Sequence, residues 1–434
     1  MNQFAENLKQ KLLSLIHEME TYERERFVRN PEKDFKRMRK LGFACVIRLI
    51  LSMGSSSLGQ ELLQYFQFQN DFPSVSAFVQ QRQKIKPDAF AELFRRFSLL
   101  QEDFPLFKGY RLLAVDGSDL ILPLNAAEPH AFAESKCSML HLNALFDIQS
   151  KQYVDVEIQG RKEMNETAAI VTMTKRLPEQ YPCILLADRG YESYNFFAHV
   201  EERLFDYVVR LRAAKNSSMV SGLNLPQNEA FDLTKHIVIT RHSTGPYAVN
   251  KEKYKYMSKQ ARFDFIADSK QPDYEMTIRF VSFPLDTGEF EILATSLPEA
   301  EFPADALKEL YHLRWGIETS FRELKHAVGL AAFHTKKADC VMQEIYARLI
   351  LYNFSMLIAN QVEIPNEPCR KHKYQINFTQ AIRICMQYFR MQNNSPPFDM
   401  QALLLRFILP ERKGRSYTRK VYAQGVKAFN YRLT

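Results

Sequence analysis

The apolar positions of the first hundred residues follow a helical repeat. In FACVIRLILSM (residues 43–53) and ELLQYFQF (residues 61–68), apolar side chains recur as they do on one face of a helix rather than alternating as in a strand. Glycine, serine, asparagine and proline residues separate these segments as turns do. The pattern predicts that residues 1–108 form a helical N-terminal region.

Part of this region has the outline of a DNA reader. Ser74 or Ser76 is placed to cap a helix whose polar and basic surface includes Arg82 and Lys84. A short helix, a turn and a polar-basic helix are typical of the helix-turn-helix motif, although many such helix pairs bind no DNA. We therefore predict an α-helical N-terminal DNA-binding domain in which Arg82 and Lys84 contact DNA.

Between residues 109 and 212, strands alternate with helices. Three strand-like runs come first, and RLLAVDGSDLILP runs apolar into Asp116. A helix that Asn165 is placed to cap, a continuous apolar strand ending at Asp188, a second helix and a last strand follow. The order β-β-β-α-β-α-β, with an acid within the first strand and another at the end of the fourth, is typical of a ribonuclease H-like core.

Residues 213–295 break this order and predict a β-rich insertion. The segments HIVITRHS, ARFDFIA, YEMTIRFVSFPL and FEILATSL alternate or run apolar as strands do. Helical spacing then returns in two long helices, which end near Val328 and Ala359. We predict that residues 296–360 complete the α/β core and its mixed five-stranded sheet, and that residues 361–434 form a helical, basic C-terminal region.

Composition and charge refine this picture. Hydrophobic residues make up 46% and charged residues 25%, which excludes a disordered or collagen-like chain. The net charge of +8 is modest for 434 residues, but it is unevenly distributed. Residues 331–434 alone hold 16 Lys and Arg against 6 Asp and Glu, whereas the middle of the chain is acidic. Basic flanks around an acidic centre favour a polyanionic partner.

Cysteine usage and hydropathy indicate a cytosolic protein. The six cysteines are scattered without a C-x-x-C pair, which argues against a zinc finger or a disulfide framework. The N-terminal amphipathic helix contains acids, so it does not resemble a signal peptide. The most apolar late stretch, residues 346–358, is too short to span a bilayer. We therefore expect a cytoplasmic location and no membrane partner.

Two acids occupy positions that need a compensating charge. Asp116 ends the apolar run LLAV, and Asp188 ends the apolar run ILLA. Burying a carboxylate there is costly unless it is paired, hydrogen-bonded or bound to a metal ion. Neighbouring parallel strands would bring the two acids together as ligands for hard divalent cations. The alternative is that each acid forms a turn, since a glycine follows closely in both cases.

A third acid lies in the segment YHLRWGIETSFRELK. Its steps of 3, 4 and 7 residues between tyrosine, arginine, glutamate and lysine place four side chains on one helical face. This face suits a metal ligand, Glu318, beside a phosphate-binding row. The residues of that row and its surroundings are Tyr311, Arg314, Arg322 and Lys325, with Trp315 placed to stack on a base. An ordinary Glu318–Arg322 surface pair and a core role for Trp315 are the alternatives.

These residues resemble a known family. The spacing Y-x2-R-x3-E-x6-K is similar to the YREK signature of the IS-four-type transposases of bacterial insertion sequences. Asp116 in AVDGS and Asp188 in LADRGY resemble that family's first and second acids. A β-rich insertion between the second acid and the glutamate is also characteristic of the family. The resemblance covers about residues 30–360.

The resemblance implies a DDE transposase that cleaves DNA strands and joins them to a target in cut-and-paste transposition. It implies two Mg²⁺ or Mn²⁺ ions held by Asp116, Asp188 and Glu318. The implied partners are double-stranded DNA, both the element's terminal inverted repeats and the target, and a second copy of the chain in a synaptic homodimer. The implied location is the bacterial nucleoid.

Three other functions remain open at this stage. A metal-dependent DNA nuclease of the same fold would cut without joining. A domesticated DNA-binding protein would bind without catalysis. A two-carboxylate glycosidase is disfavoured by the single tryptophan and the basic flanks.

Overall fold

The N-terminal region is helical, as predicted from its apolar repeat. The computed structural model describes residues 1–37, 39–101, 104–123, 131–132, 137–178, 181–212, 219–266, 273–285, 287–365, 372–391 and 398–411. Ser74 is the residue that caps the later helix, because its hydroxyl accepts a hydrogen bond from the Ala77 amide at 3.2 Å. The N-terminal helices are α1 (Asn2–Tyr22), α2 (Arg24–Phe27), α3 (Phe43–Ser52), α4 (Leu58–Tyr65), α5 (Val75–Arg82) and α6 (Asp88–Ser98).

The centre of the chain forms a mixed sheet with helices, in the predicted order. The elements are β1 (Arg111–Pro123), β2 (Ala131–Phe132), β3 (Cys137–Asp147), β4 (Gln152–Gly160), α7 (Glu166–Arg176), β5 (Cys183–Ala187), α8 (Tyr194–Glu201) and β6 (Asp206–Leu211). Strands β1, β3 and β4 are antiparallel, whereas β5 lies parallel to both β1 and β6. β5 is buried along its whole length, because α7 and α8 cover one face and the elements after residue 296 cover the other.

The strands of the predicted insertion extend this sheet instead of forming a separate one. They are β7 (Phe231–Thr240), β8 (Tyr254–Tyr256), β9 (Asp273–Pro284) and β10 (Phe290–Thr295), with the short helix α9 (Pro246–Val249). β10 pairs with β6, and β9, β7 and β8 follow, so ten strands of the described residues share one sheet.

The strand predicted in ARFDFIA is wrong for the residues that the structure describes. Residues 261–266 form bends and turns rather than a strand. Asp264 is held there by three polar contacts, none of which belongs to a strand pairing. Its carboxylate contacts His199 at 2.7 Å and Arg262 at 3.1 Å, and its amide donates to Asn195 at 2.8 Å. These contacts turn Phe263 into the core rather than extending the chain.

Helices after the sheet cover it and connect it to both ends of the chain. They are α10 (Ala304–His312), α11 (Trp315–His326), α12 (Ala338–Ala359), α13 (Phe378–Arg390) and α14 (Met400–Leu405), with the strand pair β11 (Tyr374–Ile376) and β12 (Ile408–Pro410). Buried side chains of α1, α3, α6, α12 and α13 belong to one hydrophobic cluster. Residues 412–434 of the predicted basic C-terminal region lie outside the described residues.

Arg82 takes part in this packing instead of facing solvent. Its side chain is 2% exposed and donates to Glu344 Oε1 at 3.0 Å, Gln343 Oε1 at 3.2 Å and the Cys340 carbonyl at 3.0 Å. All three acceptors lie on α12, so Arg82 joins α5 to the helix that crosses the sheet. This position does not agree with the prediction that Arg82 contacts DNA, because its guanidinium is already neutralised and enclosed.

In the part of the chain that the structure describes, no helix combines the length and the apolar character needed to cross a bilayer. This includes α12, the longest helix, which buries Arg348 and Glu344 among its apolar residues.

We predict that Arg82→Met lowers the free energy of unfolding by about 1–3 kcal/mol, because it leaves buried acceptors on α12 without their donor, although Glu344 keeps His334 as a partner at 3.1 Å. Chemical denaturation measures this loss. Lys36→Met is the matched control, since Lys36 pairs with Glu32 on the surface, where they are 41% and 83% exposed. The control should change stability by less than about 0.5 kcal/mol. A loss below about 1 kcal/mol for Arg82→Met would contradict the role of this ion pair.

Candidate active site

The sheet brings Asp116 and Asp188 to the same edge. The last paired residues of the parallel strands β1 and β5 are Val115 and Ala187, so both acids come one residue after the same rung of the ladder. Strands in a sheet are spaced about 4.8 Å apart, and the charge of Asp188 accordingly acts on Asp116. β1 continues past Asp116 only on its antiparallel side, where Asp116 is opposite Ala144. The predicted pairing of these two strands is confirmed.

The segment that carries the third acid consists of two helices rather than the single helix predicted. The amides of Leu313, Arg314 and Gly316 bond to carbonyls three residues back, which makes a tight turn between α10 and α11. Tyr311 and Arg314 still share a face because that turn has three residues per repeat. Glu318 lies in the first turn of α11, four residues after Arg314 and therefore on the same helical face.

Hydrogen bonds of Tyr153 fix both α11 and α12 against the sheet. The Tyr153 hydroxyl of β4 bonds to the Ser320 hydroxyl of α11 at 2.9 Å. The Tyr153 backbone exchanges two bonds with the Asn353 side chain of α12, at 2.8 and 2.7 Å. All three residues are buried and hydrogen-bonded. Because Ser320 and Glu318 lie on the same helix, this polar network also fixes the position of Glu318. Sequence periodicity did not identify these residues as part of the site, because their partners are up to 200 positions away.

The guanidinium of Arg314 lies among the carboxylates. Its Nη2 donates to Glu318 Oε1 at 3.1 Å, and its Nη1 lies 3.9 Å from Asp116 Oδ2. The Arg314 side chain is only 4% exposed. Tyr311, under the same guanidinium, donates its hydroxyl to Asp188 Oδ1 at 3.4 Å. One arginine therefore supplies positive charge where three acids converge.

Burial and mutual repulsion affect the protonation of these acids. Burial, together with the nearby charges of Glu318 and Asp188, raises the pKa of Asp116 to about 6. The Gly117 amide, which donates to Asp116 at 2.8 Å, and Arg314 act in the opposite direction without overcoming that effect. With a pKa of about 6, Asp116 is mostly ionised at physiological pH, and its buried carboxylate would be stabilised by additional positive charge.

The other predicted DNA contacts lie at different depths. Trp315 is 49% exposed and its indole faces Arg314, which excludes a fully buried core role. Arg322 is exposed on α11, whereas Lys325 is partly buried and donates to the Asp119 carbonyl at 2.9 Å. Lys84 is partly exposed and bonds to the Gln81 side chain at 3.1 Å, apart from the three acids in the fold.

A second charged group lies on the opposite face of β1 and was missed by the sequence reasoning. His141 of β3 contacts Asp119 at 2.7 Å and Glu166 at 3.2 Å. Burial by itself lowers the pKa of this histidine, but the two carboxylates outweigh burial and raise it to about 9. The imidazole is therefore charged at neutral pH. Pairing of β1 with β3 could have suggested the Asp119–His141 contact, whereas Glu166 gave no local signal.

The donor set suits a hard divalent cation. It consists of carboxylate oxygens, which are the ligands that Mg²⁺ and Mn²⁺ prefer. Within the described ranges, however, no three His, Cys, Asp or Glu side chains are close enough to one another to hold a metal ion. The acids lie around the guanidinium of Arg314, which supplies the positive charge between them. The three carboxylates are therefore suitable ligands for a metal ion, and the Arg314 guanidinium lies between them.

Comparison with known proteins shows similarity to transposases. The transposase for insertion sequence element IS421 of Escherichia coli is 36% identical over 66 residues, which are 15% of this chain and 18% of that protein. The alignment thus spans less than a fifth of that relative's length. A solved structure, the cryo-EM piggyBac transposase synaptic complex with hairpin DNA, matches with a TM-score of 0.49 and 12% identity, covering 94% of this chain and 87% of that chain.

A family model described as a transposase DDE domain matches residues 107–354, the segment that contains all three acids. This match confirms the expectation of a DDE transposase domain, whereas the finer assignment to the IS-four-type group stays a prediction. Because the matched segment is more than half of the chain, the protein belongs to the family defined by the transposase DDE domain.

Proposed function

We propose that this protein is a DNA transposase that cleaves strands at the ends of an insertion sequence and transfers them to a target. The observation that carries the proposal is the convergence of Asp116, Asp188 and Glu318 on the guanidinium of Arg314 at one sheet edge. Acids brought together from three distant segments repel one another unless cations neutralise them. This repulsion lowers the stability of the fold, but the same three acids can bind the cations that phosphoryl transfer requires.

We infer that the three acids hold divalent cations, two Mg²⁺ or Mn²⁺ ions, when DNA is bound. Bound cations of this kind activate an attacking oxygen and stabilise a leaving one. The residues of the chain would orient these ligands. Gly117 and Arg189 donate amide hydrogens to Asp116 and Asp188, at 2.8 and 2.7 Å, and so fix one oxygen of each acid.

The basic residues around the acids suit the phosphates beside a scissile bond. Arg314 Nε is buried without a hydrogen-bond partner among the described residues, so this guanidinium retains donor capacity for a phosphate oxygen. Tyr311 lies under it, Lys325 lies further along α11, and Arg322 and Trp315 are exposed to solvent. Lys84 stays a candidate DNA contact of the N-terminal region, whereas Arg82 is left out because it is buried.

The wider assembly follows from this proposal. The strand order β4-β3-β1-β5-β6 supports a ribonuclease H-like core at residues 109–212 and 296–360, with the insertion at 213–295. The N-terminal region 1–108 and the basic region 361–434 would grip terminal repeats and target DNA. Two copies acting on two ends form the proposed synaptic homodimer, and the bacterial cytoplasm is the proposed location.

Two rival functions make different predictions from the same geometry. A nuclease of the same fold would give cut ends on a plasmid target without joined products. A domesticated DNA-binding protein would keep its function after Asp188→Ala. The converged acids favour catalysis over both binding alone and a structural role.

We predict that Asp116→Asn, Asp188→Asn and Glu318→Gln each reduce strand cleavage roughly 10³-fold or more, because the three acids act as a unit. Each variant should still bind terminal-repeat DNA. The control is Asp305→Asn, an exposed acid in the first turn of α10 that should cleave normally. A radiolabelled end-cleavage assay measures the loss. Equal cleavage by the wild type in EDTA would overturn the mechanism.

We predict that Arg314→Met destabilises the metal-free protein by about 1–3 kcal/mol, since it removes the cation between partly buried acids. Mn²⁺ should recover that stability and should raise the melting temperature of this variant more than that of the wild type. Arg322→Met, on the exposed side of α11, is the control and should show neither effect. Equal Mn²⁺ stabilisation of all three proteins would refute the counter-ion role of Arg314.

We predict that Arg322→Ala lowers the salt dependence of DNA binding by about one unit of slope, because one phosphate contact is lost. Trp315→Ala should weaken binding by about 1–3 kcal/mol if its indole stacks on a base. Fluorescence anisotropy across a salt series measures both changes. Lys11→Ala, an exposed lysine of α1, is the control and should leave slope and affinity unchanged.

A further inference from the structure

Behind the acids, an ion-pair group of a buried histidine and two partly exposed carboxylates lies against the backbone of both acid-bearing segments. We propose that Glu166 and His141 are positioning residues, which hold Asp116 and Asp188 at a fixed separation by packing against Gly117 and Gly190. This inference rests on the proposed function, because it concerns the same metal-binding acids. Neither Glu166 nor His141 belongs to the Y-R-E-K spacing or to the two aspartate motifs.

His141 reaches this position through strand pairing. His141 is opposite Asp119 in the antiparallel pair of β1 and β3, so the two side chains share one face of the sheet. Side chains alternate along a strand, so Asp116 points to the other face, toward α11. The imidazole is 5% exposed and lies between the carboxylates of Asp119 and Glu166, 2.7 and 3.2 Å away.

Glu166 is fixed at the start of α7. The helix is capped by Asn165, whose side chain accepts from the Ala168 amide at 2.9 Å. A carboxylate in the first turn is also favoured by the helix dipole. One oxygen of Glu166 faces His141, and the other faces the backbone at Gly190.

The two glycines provide the space for this group. A Cβ on Gly117 would lie 2.2 Å from His141 Nε2 and 3.2 Å from Glu166 Oε1, and a Cβ on Gly190 would lie 2.8 Å from Glu166 Oε2. Neither glycine adopts the left-handed backbone conformation, so close approach rather than backbone freedom requires glycine here. Gly117 directly follows Asp116, and Gly190 comes two residues after Asp188.

One rigid group therefore supports both aspartates. The imidazolium bridges two carboxylates, and the Glu166 side chain contacts both acid-bearing segments at once. Metal ligands must be held within about 0.5 Å of their working geometry, and the residues that support them commonly affect metal affinity 10–100-fold. A shift of Glu166 would move the Asp188 segment relative to the Asp116 segment.

The first experiment measures Mn²⁺ affinity of the full chain by electron paramagnetic resonance, without DNA. Glu166→Ala should weaken Mn²⁺ binding about 10–100-fold while the melting temperature stays near that of the wild type. Glu166→Gln keeps the volume and one acceptor oxygen, so it should recover most of the affinity. A folded Glu166→Ala protein with wild-type affinity would overturn the inference.

The second experiment tests the contact with Gly190 in a double-mutant cycle. Gly190→Ala should weaken Mn²⁺ binding at least about tenfold in the wild type, and should cost almost nothing in the Glu166→Ala background, where the clash is gone. Gly59→Ala is the control, because its nearest neighbour would be Val75 Cγ2 at 3.9 Å. Equal effects of Gly190→Ala in both backgrounds would refute the contact.

The outcomes separate this inference from the proposed function. If Asp116→Asn leaves Mn²⁺ binding of the protein unchanged, the proposed metal site itself has failed. If Asp116→Asn abolishes binding but Gly190→Ala and Glu166→Ala both bind as the wild type does, only the positioning role has failed. Should Glu166→Ala not fold, the affinity of Gly190→Ala in the wild-type background decides: a loss supports the role, and wild-type affinity refutes it.

Discussion

Mutual repulsion among Asp116, Asp188 and Glu318 is the constraint on which this structure depends. Burial and the neighbouring acids raise the pKa of Asp116 to about 6, even though Arg314 lies nearby. A buried guanidinium compensates part of this charge, at 3.1 Å from Glu318 and 3.9 Å from Asp116. Arg314 thus reduces the repulsion enough for the site to fold, and the remaining negative charge favours binding of a further cation.

The rest of the fold holds those four residues in position. The parallel pair β1 and β5 fixes the two aspartates at one rung, and the Tyr153–Ser320 bond fixes α11. α12 supports this arrangement through Asn353 and is joined to the N-terminal helices by the Arg82–Glu344 pair. Each of these buried polar contacts has defined partners, so the elements have one relative position rather than several. The N-terminal helices and the acids are therefore connected through buried polar contacts.

The sequence was sufficient for the order of elements and for the three acids, because both depend on local patterns. Apolar runs that end in Asp116 and Asp188 predicted strands, and the Tyr311-to-Lys325 spacing predicted a helical face. Local patterns failed where a distant partner decided the outcome. Arg82 was predicted to contact DNA, but it is enclosed by α12. ARFDFIA was predicted to be a strand, but the contacts of Asp264 prevent it. The helix predicted through Arg314 is interrupted by a turn.

By itself, the sequence determined the order of most strands and helices and which acids follow the buried apolar runs, since periodicity and burial cost are properties of neighbouring residues. Only the tertiary structure decided which charges meet. It put Arg314 among the acids, turned Arg82 inward, joined the insertion strands to the central sheet and seated Glu166 against Gly190. Such contacts depend on the spatial approach of segments far apart in the chain, which no local pattern encodes.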